Sequence, residues 1–184
     1  MPTKHDGYDL ERLLRDYRAR WPEEAEQAAE FEELRGDGAD PYVRARRVGH
    51  FTGSAWVVDA AGRRVVLMHH RKLGRWLQPG GHADGDPDLA RVALREAGEE
   101  TGLHGLTVEA ATIFDLDRHW IPERGEVPGH WHYDVRHVVR AGADATLRMN
   151  EESLDLAWRG IDALVEAADI DASVRRMARK WLQR

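Results

Sequence analysis

The stretch GGHADGDPDLARVALREAGEETGL, residues 80–103, decides the fold of this chain. Its glycine pair ends a strand-like segment and lets the backbone approach another group closely. Asp86 is the predicted N-cap and Pro87 the predicted first residue of a helix that runs from about residue 88 to residue 101. The start of the helix is therefore fixed just after the glycine loop.

The apolar stripe of this helix turns into carboxylates in its last turns. At about 100° per residue, one broad arc collects the side chains of Leu89, Ala90, Val92, Ala93, Leu94 and Ala97. Glu96 and Glu100 fall inside that arc, and Glu99 lies at its edge, where Arg95 can pair with it by i,i+4 geometry. Buried like charges are costly unless cations hold them, and oxygen ligands suit Mg²⁺ or Mn²⁺. The pattern predicts a divalent-metal site, with an ordinary helix carrying a charged flank as the alternative.

Residues 81–103 resemble the Nudix box, G-x5-E-x7-R-E-U-x-E-E-x-G-U with U aliphatic, a loop–helix–loop signature of hydrolases acting on nucleoside diphosphates linked to another group. The match runs through Gly81, Arg95, Glu96, Ala97, Glu99, Glu100, Gly102 and Leu103. Pro87 stands where the signature has its first Glu, which we interpret as changed loop support and not as lost chemistry. The resemblance implies an α/β/α sandwich with a mixed β-sheet, to which this chain adds an N-terminal helical extension.

The same resemblance implies a metal-dependent hydrolase that cleaves the diphosphate linkage of a small nucleoside diphosphate derivative or nucleoside triphosphate. Its Mg²⁺ or Mn²⁺ ligands would be the backbone carbonyl of Gly81 and the carboxylates of Glu96 and Glu100, with Glu99 assisting. Arg95 joins the three glutamates as a catalytic residue. The products would be a phosphate monoester on each side of the broken bridge.

The general base that takes the proton of the attacking water differs among members of this family. Glu96 is favoured here, and Glu123 and Glu126 are the candidates from a later loop. A non-catalytic module that senses a nucleotide is the alternative function, and Pro87 is its support. The prenyl-diphosphate isomerase branch of the fold is disfavoured, because it employs a Cys and this chain has none.

Further substrate-binding candidates are His82, Trp76 and His132. His82 directly follows Gly81 and can reach a phosphate, and Trp76 can stack on a base or cover the core. His130, His132 and Asp134 would share one face of a strand. They predict either a second metal site or phosphate contact, or polar residues at the mouth of the strand.

Composition predicts a single soluble domain over residues 1–184, because a chain of this length with 42% hydrophobic residues can build one core. The expected parts are a helical extension at 1–40, a core at 48–168 and a C-terminal helix at 171–184. Strands are expected at 48–59, 63–70, 106–115, 132–140 and 156–158, with a long loop at 116–131. The extension packs on the core or on a second subunit, so a homodimer stays open.

Charge and hydropathy limit the partners. The net charge of −6 disfavours binding to nucleic acid. The C-terminal helix is basic, but its apolar stripe is typical of a helix docked on the core with a charged outer face, which disfavours an RNA-binding role. The apolar runs are too short to span a membrane. The N-terminus lacks the apolar stretch of a secretory signal, which predicts a cytoplasmic protein. A small nucleotide is the expected partner.

Overall fold

A computed structural model describes residues 8–71, 73–110, 112–143, 145–151 and 153–184. The first seven residues of the predicted extension lie outside the described residues. The helices are α1 (Leu10–Arg20), α2 (Ala25–Gly36), α3 (Leu89–Thr101), α4 (Ile161–Leu164) and α5 (Ala172–Leu182), with a 3-10 turn at Pro22–Glu24. The strands are β1 (Gly49–Val58), β2 (Arg64–His70), β3 (Arg75–Leu77), β4 (Gly80–His82), β5 (Thr107–Val108), β6 (Asp115–Ile121), β7 (His130–Arg140) and β8 (Ser153–Gly160).

These strands form one mixed sheet, as the sequence predicts. The path β3-β2-β1-β7-β5 runs through it, and β4, β6 and β8 pair with β1, β7 and β2. β1 and β7 are parallel, whereas the other pairs are antiparallel. β1 is buried along its whole length, because helices cover both of its faces. The α/β/α sandwich is therefore confirmed.

The two faces of the sheet carry separate apolar cores. On one face α3 packs over Ala55 and Val57, and on the other α4 and α5 cover Trp56 and Val58. Alternate residues of β1 point to opposite faces, so a single strand supplies both cores. Within the described residues no helix has the length and apolar composition that a membrane-spanning helix needs.

The N-terminal extension is a hairpin of α1 and α2 that packs on the core of its own chain. Asp9 caps α1 by accepting a hydrogen bond from the Arg12 amide at 3.1 Å. Phe31 of α2 is fully buried and meets the Tyr133 ring edge-on at 5.2 Å between ring centroids. The hairpin therefore closes the end of the sheet where β1 and β7 begin.

Two predictions about strands and loops were wrong. The expected loop at 116–131 contains most of β6 and the start of β7, which form an antiparallel hairpin with His119 opposite His132. The strand expected at 106–115 shrinks to Thr107–Val108. Polar residues in β6 suggest a loop, but Asp115 is fully buried and Asp117 keeps only 18% of its side chain exposed, whereas His119 is 43% exposed.

The predicted N-terminal boundary of α3 was also wrong. Asp88 caps the helix by accepting a hydrogen bond from the Arg91 amide at 3.0 Å, and α3 begins at Leu89. Asp86 instead accepts from the Asp88 amide at 2.9 Å. Pro87 therefore precedes the helix, and the whole capping arrangement lies two residues later than predicted.

A buried network of charges joins α5 to the sheet. The Asp115 carboxylate is fully buried and accepts from Arg136 at 3.2 Å, Arg176 at 2.7 Å and Lys180 at 2.7 Å. Burial raises the pKa of Asp115, but the hydrogen bonds and charges of these cations outweigh it, and the pKa falls below its ordinary value. The predicted charged outer face of α5 was thus wrong for Arg176 and Lys180, which face inward.

Asp115→Asn is expected to destabilise the protein by about 3–5 kcal/mol, because it leaves buried cations without their counter-charge. Asp16→Asn is the matched control, since Asp16 pairs with Arg12 on the exposed surface of α1. That control is expected to change the free energy of unfolding by less than about 1 kcal/mol. Urea unfolding of the two variants measures the difference, and equal losses would contradict the account.

His137 predicts a pH-dependent stability. Burial of this side chain lowers its pKa to about 4, although a hydrogen bond with the Thr112 carbonyl at 3.0 Å acts in the other direction. The unfolded chain then binds the proton more tightly, so the stabilisation is complete above pH 6.5 and is lost as the pH falls towards 4. In His137→Gln the slope of unfolding free energy against pH should decrease by up to about 1.4 kcal/mol per pH unit. An unchanged slope would show that His137 does not titrate in this window.

Candidate functional site

The carboxylate of Glu96 lies against the backbone of Gly81. A Cβ built on Gly81 would stand 2.5 Å from Glu96 Oε2 and 2.9 Å from Oε1. The pairing of β4 with β1, which places Gly81 opposite Gly53, fixes this stretch of backbone. Glycine at position 81 therefore makes room for a carboxylate beside the strand.

Glu100 lies one helical turn further and is more deeply buried, with 4% of its surface exposed. Its Oε2 accepts a hydrogen bond from the Gly80 amide at 2.8 Å. The Glu96 side chain keeps 16% of its surface exposed. The two inward-facing acids of the predicted stripe thus reach the same glycine pair, one from the solvent side and one from within the core.

Arg95 pairs with a different glutamate from the one that helical spacing predicts. Its Nη2 donates to Glu96 Oε1 at 2.9 Å and to the His82 carbonyl at 3.0 Å. Glu99 is exposed on α3. Bonding to the His82 carbonyl requires Arg95 to reach over the loop, and this direction leads it past Glu96 and away from Glu99.

The loop before α3 is held by ion pairs at both of its ends. Arg44, from the segment before β1, donates to both carboxylate oxygens of Asp84 at 2.5 and 2.7 Å. Asp86 pairs with Arg91 on the first turn of α3. Asp84 and Asp86 precede Pro87 in the chain, so ion pairs hold the loop just before that residue.

The donor set of this site fits a hard divalent cation. Glu96 and Glu100 present carboxylate oxygens beside the backbone of Gly80 and Gly81, and Mg²⁺ and Mn²⁺ prefer oxygen ligands. The absence of a Cβ on Gly81 leaves the space in which the Glu96 carboxylate lies. Glu99, the third predicted ligand, lies on the exposed side of the helix.

A cleft of about 730 Å³ opens on the face of the sheet covered by α5, opposite the face on which α3 packs, and Glu96 and Glu100 are not among its lining residues. Its lining includes Gln78, Trp120, Glu123, Arg124 and Arg176. Gln78, two residues before the glycine pair, is the lining residue that lies nearest to that pair in the sequence. Its volume is that of ordinary small-molecule pockets, which measure about 300–1,000 Å³.

The predicted substrate-binding residues fall into different places. Glu123 lines the cleft, whereas Glu126 is exposed in the turn between β6 and β7. Trp76 packs against the core beneath α5, with its ring 5.3 Å from that of His69. The packing alternative for Trp76 is the one that this geometry favours.

His82 and His132 belong to a cluster of imidazoles that the sequence analysis found only in part. The β1–β7 register brings His50 beside His132, and His119 lies opposite His132 in β6. Burial, followed by the neighbouring charges, lowers the pKa of His82 to about 4 and that of His132 to about 2. His82 and His132 are therefore neutral near pH 7. Only the long-range strand register reveals the neighbours of His132, and no local motif predicts that register.

Asp134 has a structural role beside this cluster. Its carboxylate accepts from Thr52 at 2.9 Å, from Ser54 at 2.7 Å and from Arg136 at 2.7 Å. These are side-chain donors from β1 and β7. Asp134 thereby ties the two parallel strands together next to the glycine pair.

Gly53→Ala is expected to destabilise the protein by about 1–3 kcal/mol, because its Cβ would stand 2.8 Å from the Leu89 carbonyl and force α3 away from β1. Gly98→Ala, within α3 itself, is the control, since its Cβ would meet nothing closer than 3.8 Å. That change is expected to stabilise α3 by up to about 1 kcal/mol. Thermal and urea unfolding measure both, and a neutral Gly53→Ala would contradict close packing at this point.

Comparison with known proteins places this geometry in a family. Residues 50–181 match the family model described as NUDIX domain. A curated Mycobacterium tuberculosis protein named "Putative 8-oxo-dGTP diphosphatase 3" is 31% identical over 139 residues, which cover 69% of this chain and 61% of the relative. This chain thus spans less than two thirds of that relative's length.

Solved structures share the fold. A NUDIX-family hydrolase from Clostridium perfringens is 25% identical, with a TM-score of 0.58 over 73% of this chain and 96% of that one. A MutT protein from Methanosarcina mazei Go1 is 17% identical, with a TM-score of 0.57 over 75% of this chain and 96% of that one. Because the family model matches most of the chain, the chain belongs to the NUDIX domain family.

Proposed function

We propose that this protein is a divalent-metal-dependent pyrophosphohydrolase that cleaves the diphosphate linkage of a small nucleotide by attack of water on phosphorus. The observation that carries the proposal is the convergence of the Glu96 and Glu100 carboxylates on the backbone of Gly80 and Gly81. The family, whose hydrolases generally use a divalent metal, supports the same chemistry. Mg²⁺ is the ion that we propose, with Mn²⁺ as its substitute.

The residues that would hold the metal are Glu96, Glu100 and the backbone carbonyl of Gly81, with Glu99 in an outer position. A bound divalent ion supplies charge neutralisation of phosphate oxygens and a lower pKa for a bound water. The Gly80 amide donates a hydrogen bond to the Glu100 carboxylate at 2.8 Å. Glu100 is thereby held in one orientation before any ligand arrives.

Glu96 is the general base that we favour. Its carboxylate is partly open to solvent, whereas that of Glu100 is buried and bonded to the backbone. Arg95 orients it through the 2.9 Å contact with Oε1. Glu96 would take the proton of the attacking water while the bond between the bridging oxygen and the attacked phosphorus breaks. Glu123, at the wall of the cleft, is the competing base, and Glu126 is disfavoured because it does not line the cleft.

The cleft supports a nucleotide as the substrate. Trp120 is 51% exposed at its wall and offers a ring face or edge to a base. Arg75, Arg118 and Arg124 line the same space and add positive charge for phosphates. The curated relative is named for a nucleoside triphosphate, so that class is the first substrate to test here.

Phosphorus NMR of reactions run in ¹⁸O-labelled water tests the proposal. The panel is nucleoside triphosphates including 8-oxo-dGTP, ADP-sugars, dinucleoside polyphosphates and NADH, each with and without Mg²⁺. We expect metal-dependent formation of phosphate monoesters, with the label on the attacked phosphorus. Thermal stabilisation by a nucleotide without any product would support the sensing module instead and contradict the hydrolase.

Glu100→Gln is expected to lower turnover by about a hundredfold or more, because the amide keeps the shape and the hydrogen bond but loses the charge that a metal needs. Glu33→Gln, an exposed site on α2, is the control for removal of one acid. Glu99→Gln is expected to lose less activity than Glu100→Gln. The measurement is the rate of hydrolysis at saturating Mg²⁺, with circular dichroism to confirm the fold.

A matching backbone variant separates position from charge. Gly81→Ala retains every carboxylate but places a Cβ where the Glu96 carboxylate lies. It is expected to lose activity while unfolding near the wild-type temperature, since the end of a flexible side chain can move aside. Full activity in both Glu100→Gln and Gly81→Ala would remove the glycine pair and its two acids from the site.

A further inference from the structure

Five histidines from four strands meet at one end of the sheet. β7 supplies His130 and His132 on one face, and parallel pairing places His50 of β1 next to His132. His82 of β4 and His119 of β6 flank the group, with rings 4.9 and 5.4 Å from that of His132. His130 and His132 are brought together by their spacing on one strand, whereas their contacts with His50, His82 and His119 are products of the tertiary fold.

The ligand atoms of His50, His130 and His132 all lie within 4.8 Å of one another. The Nε2 atoms of His130 and His132 are 3.2 Å apart. Two nitrogens bound to one tetrahedral Zn²⁺ at about 2.0–2.1 Å are separated by about 3.3 Å. One pair of donors therefore already stands at the separation that chelation requires.

Backbone carbonyls orient two of these rings. The Nδ1–H of His130 donates to the Pro128 carbonyl at 2.9 Å, and His50 Nδ1 lies 3.5 Å from the Arg46 carbonyl. A carbonyl can only accept, so in each neutral ring the proton is on Nδ1 and the lone pair is on Nε2. Metal-binding histidines in proteins are held in the same way by their second ring nitrogen.

The buried Nε2 atom of His50 also indicates a ligand site. The residue is 2% exposed, and among the described residues no hydrogen-bond partner reaches its Nε2 atom. A buried acceptor without a partner is costly, and such atoms call for a specific explanation. This nitrogen belongs to the same three-donor group as His130 and His132, so a ligand bound there would satisfy it.

We propose that His50, His130 and His132 form a second metal site, for a transition ion of the Zn²⁺ class, separate from the carboxylate site on α3. The donor chemistry distinguishes the two, because imidazole nitrogens favour Zn²⁺ whereas carboxylate and carbonyl oxygens favour Mg²⁺. Three protein ligands leave a fourth tetrahedral position for water or an anion. His82 links the sites, since it follows Gly81 in β4 and its ring lies 5.2 Å from that of His50.

Titration of the chelator-treated full chain with Co²⁺ tests this site. Tetrahedral cobalt bound by nitrogens absorbs visible light strongly, whereas octahedral cobalt at an oxygen site absorbs weakly. We expect a strong band at one equivalent that Zn²⁺ abolishes. His132→Gln should weaken Co²⁺ binding by at least about a hundredfold, and the control His104→Gln, at an exposed turn after α3, should leave it unchanged.

The double variant Glu96→Gln with Glu100→Gln separates the two sites. It is expected to keep the strong cobalt band, because its changes lie at the carboxylates. Loss of the band in this variant, its persistence in His132→Gln, or its absence from the wild-type protein would each overturn the proposal. None of these readouts depends on hydrolytic activity, so the proposal can fail while the proposed function holds. His50→Gln provides a second ligand variant, with circular dichroism to confirm folding.

Discussion

Two acids on neighbouring turns can face the interior of this protein because the strand beside them has no side chains at two consecutive positions. Gly80 donates its amide to Glu100, and Gly81 leaves the space that the Glu96 carboxylate occupies. β1 holds that strand through its pairing with Gly53 and Ser54. The site thus depends on the close approach of α3, β4 and β1. Gly53 of β1 and the glycine pair of β4 make this approach possible because they carry no Cβ.

The opposite face of the sheet is organised by charge. Asp115 and Asp117 of β6 meet Arg136 of β7 and Arg176 of α5, so the same contacts hold the C-terminal helix and one wall of the cleft. Lys180 extends the network to Glu24 next to the N-terminal hairpin. Breaking a buried network of this kind is costly, which links the shape of the cleft to the attachment of both ends of the chain.

Local sequence patterns predict the parts of the fold that local chemistry determines. The period of apolar residues predicts α3 and α5, and the spacing of glycines and acids predicts which side chains of α3 turn inward. β6 escapes prediction because its inward residues include Asp115 and Asp117, whose charges Arg136 of β7 and Arg176 of α5 balance. The pairing of Arg95 with Glu96 depends on the path of a loop. The histidine cluster depends on the register of strands far apart in sequence, which one sequence alone does not specify.

The central claim is that the cradle formed by Glu96, Glu100 and the Gly81 carbonyl holds a divalent cation. Crystals of the protein soaked in Mn²⁺, with diffraction data collected at the manganese absorption edge, test it most directly. The account predicts an anomalous peak within bonding distance of both carboxylates. An empty cradle in a well-ordered crystal, or Glu96 and Glu100 turned out into solvent, would contradict it.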